Sequence, residues 1–152
     1  ELAFEEHPDR RLLSWAARLH EIGLSIAHAG HHKHGAYILA HADMPGFSMM
    51  EQHTLGLLVR GQRRSLVKLQ LPAFTDDRCL LLLILRLSIL FNRNRLDDDV
   101  PKLALSRDKG GFDLRVPDEW LAHNPLTESA LQSEVAYWQE VDVRLTLSQL
   151  SR

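Results

Sequence analysis

Hydrophobic residues recur at helical spacing through the first 91 residues of the chain. Leucines and alanines that repeat every three or four positions predict a first helix from about Pro8 to His20. Gly23 is expected to end this helix, because glycine readily takes the left-handed conformation common at helix C-termini. A second helix is predicted over about residues 33–42, and the loop around Pro45 stops it.

Two further helices complete this part of the pattern. Ser48 and Glu51 have the spacing of a capping box, which predicts the start of a third helix that frays near Gly61. Thr75 is expected to cap a fourth helix over about residues 76–91. The fourth helix is apolar nearly all round, so it should be the most buried one.

The longest apolar stretch, Cys79–Phe91, has 13 residues and is interrupted by Arg86. A helix that spans a bilayer needs about 20 apolar residues, so we expect a buried helix and no membrane span. Cys79 is the single cysteine, which excludes a disulfide framework within the chain and fits a cytoplasmic location. The chain opens without methionine, and we interpret it as a fragment of a longer protein.

The pattern becomes polar and charged at residues 92–99. This run predicts a boundary between a helical domain at residues 1–96 and a smaller part at residues 97–152. Alternating residues on both sides of a glycine turn, at 102–106 and 112–116, then predict a β-hairpin.

The remaining residues predict a short helix at 117–123, a longer helix from about Thr127 to Gln139 and a third strand over 143–147. The predicted fold class is therefore mainly α. A helical bundle is followed by a small α+β part with a short antiparallel sheet.

Charge is unevenly distributed along the chain. Residues 1–96 carry 12 basic and 9 acidic side chains, whereas residues 97–152 carry 6 basic and 11 acidic ones. Neither Asp nor Glu occurs in residues 22–42 or 52–75, and the first of these windows holds five histidines. If the two windows adjoin, they form a positive face that suits phosphate oxygens, and protonated histidines would strengthen it below about pH 6.5. The candidate phosphate-binding residues are Lys33, His34, Arg60, Arg63 and Arg64. The alternative is a solvated surface without a ligand.

His20 and Glu21 are weak candidates for metal ligands. Adjacent residues lie about 100° apart on a helix, so both could reach one metal ion only near the helix end. Further ligands would have to come from the histidines at 28–34. A histidine at a helix C-terminus is also favoured by the helix dipole alone, and the residues leave both interpretations open.

Motifs of other chemistries do not occur in the sequence. There is no Walker loop, no GxGxxG, no GxSxG and no paired CxxC. The three tryptophans are scattered and form no aromatic and basic stripe, so we expect no nucleic-acid partner.

Two segments of the chain are specific in combination, Leu19-His-Glu-Ile-Gly23 and Lys33-His-Gly-Ala-Tyr37, and Asp43-Met-Pro-Gly-Phe47 and Leu57-Leu-Val-Arg60 accompany them. Together these segments resemble the C-terminal region of the exopolyphosphatase / guanosine pentaphosphate phosphatase family. The resemblance covers nearly the whole chain, but after Asp97 it lies in the pattern only.

The resemblance implies a helical domain like the HD metal-dependent phosphohydrolases, followed by a small α/β part. It also implies that terminal phosphate is hydrolysed in N-terminal actin-like domains outside this chain, with a divalent cation such as Mg²⁺. This chain would be a non-catalytic accessory domain that binds polyphosphate and supports a homodimer.

The HD pattern can be followed residue by residue. Its His-Asp pair corresponds to His20 and Glu21, its later histidine falls near Gln62, and its last aspartate falls near Ile89. A catalytic metal needs about three protein ligands, so the resemblance predicts a lost metal site, with His20 and Glu21 left as a hydrogen-bonded pair. The alternatives are an active HD-type hydrolase acting on nucleotides and a purely structural dimerisation module.

Overall fold

A computed structural model describes residues 8–93 and 100–149. The helices of the first part are α1 (Pro8–Leu19), a short 3₁₀ helix (Ile22–Ser25), α2 (His31–His41), α3 (Met49–Gly61) and α4 (Asp77–Phe91). The elements that follow are β1 (Ala104–Asp108), β2 (Gly111–Val116), α5 (Asp118–His123), α6 (Pro125–Gln139) and β3 (Arg144–Gln149). The mainly helical fold with a small α+β part is confirmed.

The contacts divide the chain into two compact units. The first unit comprises Glu1–Arg63 and Thr75–Arg86, and the second comprises Arg64–Phe74 and Leu87–Arg152. The predicted domain boundary between residues 96 and 97 lies outside the described residues and stays a prediction.

The first unit is built around α2 and α3, which run antiparallel. Gly35 of α2 lies against Val59 of α3, where an added Cβ would come within 2.9 Å of the valine side chain. A small residue here lets the two helices approach closely. The buried apolar side chains of this unit are Leu12, Ala16, Leu39, Leu55, Leu58, Val59, Cys79, Leu81, Leu82, Leu83 and Leu85.

The role predicted for Gly23 is wrong. α1 already ends at Leu19, and Gly23 lies in the 3₁₀ helix without a positive φ. Glycine is required there for space, because a Cβ would overlap the carbonyl oxygen of His31 and lie 2.6 Å from the backbone nitrogen of Gly35. The left-handed glycine of this region is Gly30, with φ of 70° at the N-cap of α2.

Two helix starts differ from the predictions by one or two residues. α4 begins at Asp77, and the carboxylate of Asp76 accepts a hydrogen bond from the backbone N–H of Arg78 at 2.9 Å. The cap of α4 is therefore made one residue later than Thr75. α6 begins at Pro125, ahead of Thr127, since proline is well accommodated in the first turn of a helix.

The second unit contains a mixed sheet in the order β1-β2-β3. The predicted hairpin is confirmed, with Leu105 opposite Leu114 in the antiparallel pair. β3 pairs with β2 in parallel, so the sheet is not wholly antiparallel. The reason is that α5 and α6 separate the two strands and return the chain to the start of the sheet. Phe112 is buried and lies edge-to-face with Trp138 of α6, at 6.1 Å between ring centroids.

None of the helices in residues 8–93 and 100–149 is long and apolar enough to cross a membrane.

Candidate functional site

The start of α2 lies beside the end of α3. Nη1 of Arg63, just after α3, is 2.8 Å from Nε2 of His31, the first residue of α2. Because the helices are antiparallel, the first turn of α2, with Lys33 and His34, lies at the same end of the pair as Arg60 in the last turn of α3. We call Lys33, His34, Arg60 and Arg63 the basic end.

The fifth predicted residue, Arg64, is exposed and belongs to the second compact unit. It takes a left-handed backbone conformation, with φ of 64°. The basic end therefore consists of residues of the first unit alone.

The basic end presents positive side chains to solvent, and the adjoining turns of α2 and α3 contain neither Asp nor Glu. Lys33 and Arg60 are exposed, and His34 and Arg63 are half-buried. α2 contains no carboxylate, and α3 has only Glu51, in its first turn at the opposite end. The N-terminal end of the α2 dipole adds partial positive charge. An anion approaching this end would meet no carboxylate from either helix.

His31 accepts the hydrogen bond from Arg63. A guanidinium can only donate, so Nε2 must carry a lone pair and the imidazole is neutral. His31 is 7% exposed. Its burial lowers the pKa of the imidazole, and the positive charge of Arg63 lowers it further, with Glu21 acting in the opposite direction.

Two more donors satisfy the carbonyl groups where the helices end. Nε2 of Gln62 donates to the carbonyl of His20 at 2.5 Å and to that of Val59 at 3.0 Å. The Arg86 guanidinium, 3% exposed, donates to the carbonyl of Gly61 at 2.5 Å. Carbonyls at helix C-termini have no partner within the helix, so these side chains replace water there. We call Gln62, Arg63 and Arg86, with His31, the polar junction.

The expected hydrogen bond between His20 and Glu21 is wrong. Nδ1 of His20 donates to the carbonyl of Ala17 at 2.7 Å, which fixes the ring on the last turn of α1. Its Nε2 lies 3.9 Å from the Glu21 carboxylate, too far for a hydrogen bond. Within residues 8–93 and 100–149, no group of three or more His, Cys, Asp or Glu residues is placed to hold a metal ion.

Sequence reasoning missed the roles of Gln62 and Arg86. In the sequence, Gln62 was noted only as the position at which the HD pattern has a metal-binding histidine. Arg86 carried a usable signal, because a charged residue inside an apolar stretch of 13 residues requires a buried partner. Its partner, the carbonyl of Gly61, lies 25 residues earlier in the chain.

The chain is similar over most of its length to one domain of a phosphatase family. A family model described as "Ppx/GppA phosphatase, domain III" matches residues 2–135. The chain belongs to the Ppx/GppA phosphatase family and corresponds to its domain III, so the predicted resemblance is confirmed.

Curated relatives are similar in sequence to most of this chain. A guanosine-5'-triphosphate,3'-diphosphate pyrophosphatase of Pseudoalteromonas translucida is 35% identical over 126 residues, which are 81% of this chain and 25% of the relative. The protein of the same name in Vibrio cholerae is 39% identical over 127 residues, again 81% of this chain and 25% of the relative. The chain thus spans about a quarter of the length of these relatives.

Proposed function

We propose that this domain is a non-catalytic part of its phosphatase and binds the phosphate chain of the substrate. The residues of the basic end, Lys33, His34, Arg60 and Arg63, would contact phosphate, and Arg64, the next residue in the chain, is the fifth predicted contact. The proposal rests on one observation, the basic end formed where the first turn of α2 meets the last turn of α3, at which neither helix carries a carboxylate.

The chemistry of these side chains suits a phosphoanhydride chain. Lysine offers a compact charge, and arginine offers a planar fork that matches two phosphate oxygens. Each exposed contact contributes little by itself, because water and salt screen it. A chain of phosphates touches several cations at once, so the contacts reinforce one another.

Two substrates share this chemistry. Inorganic polyphosphate is the ligand implied by the exopolyphosphatase side of the family. Guanosine-5'-triphosphate,3'-diphosphate is the alternative, and the names of the relatives from Pseudoalteromonas and Vibrio favour it. Both carry phosphoanhydride groups, so the same cations could hold either one.

Catalysis would belong to other domains of the enzyme. Hydrolysis of the terminal phosphate would take place in N-terminal actin-like domains, with a divalent cation such as Mg²⁺. The present domain would have an HD-like helical fold without its metal, would support a homodimer and would act in the cytoplasm. A stoichiometric transition metal in the purified protein would contradict the non-catalytic role of this domain.

Titrations of the 152-residue chain with long-chain polyphosphate and with guanosine-5'-triphosphate,3'-diphosphate test the proposal. Binding should weaken as salt is raised, since each contact is electrostatic. Removing the charges of Lys33 and Arg60 together should weaken binding about tenfold, whereas removing those of Arg10 and Arg18 on α1 should change it little.

The control pair is matched, because Arg10 and Arg18 are also exposed cations of the first unit. An equal loss from both pairs would show attraction by net charge alone. No binding of either ligand at low salt would overturn the proposal.

A further inference from the structure

We propose that His31 is a positioning residue for phosphate binding, because its imidazole holds the Arg63 guanidinium in place for the ligand. This inference rests on the proposed function, since Arg63 is one of the cations assigned to phosphate. The contact that carries it is the 2.8 Å hydrogen bond from Nη1 of Arg63 to Nε2 of His31.

Arg63 differs from the other cations of the basic end. Among the described residues, Lys33 and Arg60 make no side-chain hydrogen bond or ion pair and are exposed. Such side chains lose rotamer entropy when a ligand fixes them. Arg63 is half-buried and already fixed by His31, so much of that loss occurs on folding. Its other N–H groups remain available to phosphate oxygens.

His31 is itself held rigidly. Its side chain is buried. Its carbonyl oxygen packs so closely against Gly23 that a Cβ at position 23 would overlap it. The rings of His28 and His32 lie 6.2 and 6.0 Å from the His31 ring, measured between centroids. A rigid acceptor can fix the arginine that donates to it, as supporting residues fix the groups of a binding site.

The hydrogen bond requires the neutral imidazole. A protonated His31 would have no lone pair on Nε2 and would repel Arg63. The charged and titratable groups that act on His31 are Arg63, His28, His20 and Glu21. The contribution of Arg63 to phosphate affinity should therefore depend on pH, although arginine itself does not titrate in this range.

His31→Leu removes the acceptor without a large cost to the fold. Nδ1 of His31 is buried and has no hydrogen-bond partner among residues 8–93 and 100–149, so a leucine leaves no group there without its former partner. Arg63, half-buried, can turn to water. His31→Gln places an amide oxygen near the position of Nε2 and should retain the function. Circular dichroism checks that both variants fold.

The test is a double-mutant cycle on tripolyphosphate affinity in the full 152-residue chain, at low salt and about pH 8, where His31 is neutral. We expect Arg63→Ala to weaken binding about tenfold and His31→Leu about fivefold, since charge-assisted contacts to phosphate are the strong ones. In the Arg63→Ala background, His31→Leu should have no further effect. His31→Gln should bind nearly as the wild-type chain does.

The affinity ratio of the wild-type chain to Arg63→Ala should also shrink between about pH 8 and about pH 5, and it should stay constant in the His31→Gln background. Additive effects of the two substitutions, or tighter binding by His31→Leu, would overturn the positioning role while leaving phosphate binding intact. If the wild-type chain binds long-chain polyphosphate but not tripolyphosphate, the cycle is measured with the long chain. If it binds neither of these nor guanosine-5'-triphosphate,3'-diphosphate, the proposed function fails and this inference fails with it.

Discussion

The two ends of α3 are completed by different kinds of partner. At the N-terminus, the Ser48 hydroxyl accepts a hydrogen bond from the backbone N–H of Glu51 at 3.2 Å. The Glu51 carboxylate in turn accepts from the backbone N–H of Ser48 at 2.7 Å. Both partners lie within three residues of each other. Arg11 of α1 then adds an ion pair to Glu51 from outside the capping box.

At the C-terminus, the hydrogen bonds join residues of different helices. Gly61 is reached by Arg86 of α4, and Gln62 joins the ends of α1 and α3. Arg63 joins the end of α3 to His31 at the start of α2. This end therefore forms only when the helices of the first unit have assembled, whereas the capping box can form within one turn of chain.

A second buried glutamine completes the C-terminal end of α2 in a similar way. Nε2 of Gln52, near the start of α3, donates to the carbonyls of Leu39 and Ala42 at 2.6 and 3.0 Å. Gln52 thus satisfies the C-terminal end of α2, and Gln62 does the same for the chain that leaves α1. In both cases an uncharged donor replaces water at a buried helix end.

The largest effect should come from Gly23→Ala, which breaks the polar junction through the backbone. The new Cβ would overlap the His31 carbonyl oxygen, and neither backbone segment can move aside without separating the start of α2 from the 3₁₀ helix. We expect a loss of at least about 4 kcal/mol in the free energy of unfolding, measured by urea denaturation.

Gly56→Ala is the matched control within α3. An added Cβ at Gly56 would have 4.0 Å to its nearest neighbour, the carbonyl oxygen of Ala36. Alanine is preferred over glycine in a helix by up to about 1 kcal/mol, so this variant should be as stable as the wild type or more stable. Equal stability of the two variants would show that Gly23 is not held in close contact.

Gln62→Leu should have the next largest effect. It removes the donor from the buried carbonyl of Val59 and from the partly buried carbonyl of His20, which costs about 2–3 kcal/mol in the free energy of unfolding. Gln52→Leu should cost a similar amount, because Gln52 also serves two carbonyls.

Gln132→Leu, on the exposed face of α6, controls for the chemical change and should stay within about 0.5 kcal/mol of wild type. Thermal or urea unfolding of the three variants measures the differences. If Gln62→Leu matched Gln132→Leu, the junction would contribute no stability to the first unit.

The same contrast explains which features the sequence could predict. The Ser48–Glu51 capping box was predicted correctly, because its partners are three residues apart and their pattern is visible in the chain. The hairpin of β1 and β2 was predicted for the same reason, from a short turn between alternating residues. The cap of α4 was misplaced by one residue, since Thr75 and Asp76 are both favourable capping residues.

Features that depend on distant partners could not be predicted in this way. Gly23 must be small because the backbone of α2 lies against it. The prediction of a left-handed glycine at the end of α1 was based only on the neighbouring residues in the chain. The contacts of Gln62 and Arg63 span 42 and 32 residues. The parallel pairing of β3 depends on the path through α5 and α6. Of the basic end, the charges could be predicted, but the histidine that holds Arg63 could not be singled out from five.

Ser48→Ala should have a smaller effect at the other end of α3. It removes the acceptor for the backbone N–H of Glu51 and should cost about 1 kcal/mol in the free energy of unfolding. Ser14→Ala, at an exposed position inside α1, should be neutral or slightly stabilising, because alanine is the better helix former. A loss at Ser48 no greater than at Ser14 would contradict the capping box.

The smallest effects should appear in the pH dependence of stability, because the two ends of α3 lose their contributions in different pH ranges. At the C-terminal end, burial and the nearby Arg63 lower the pKa of His31 from its ordinary value of 6.5. The unfolded chain then binds a proton at a higher pH than the folded one. The contribution of this end is complete above about pH 6.5 and declines as the pH falls below it. His31→Gln should remove this decline.

At the N-terminal end, hydrogen bonds from the Ser48 N–H and hydroxyl lower the pKa of Glu51 from its ordinary value of 4.5, and Arg11 adds to the effect. The contribution of this carboxylate is complete above about pH 4.5 and is lost as the pH falls through the lower, folded-state value. Urea midpoints measured from about pH 8 to about pH 3 should therefore decline in two steps, the first absent in His31→Gln and the second reduced in Glu51→Gln. A first step that persists in His31→Gln would mean that another histidine carries it, and the neutral hydrogen bond between His31 and Arg63 would then not be what couples the end of α3 to α2.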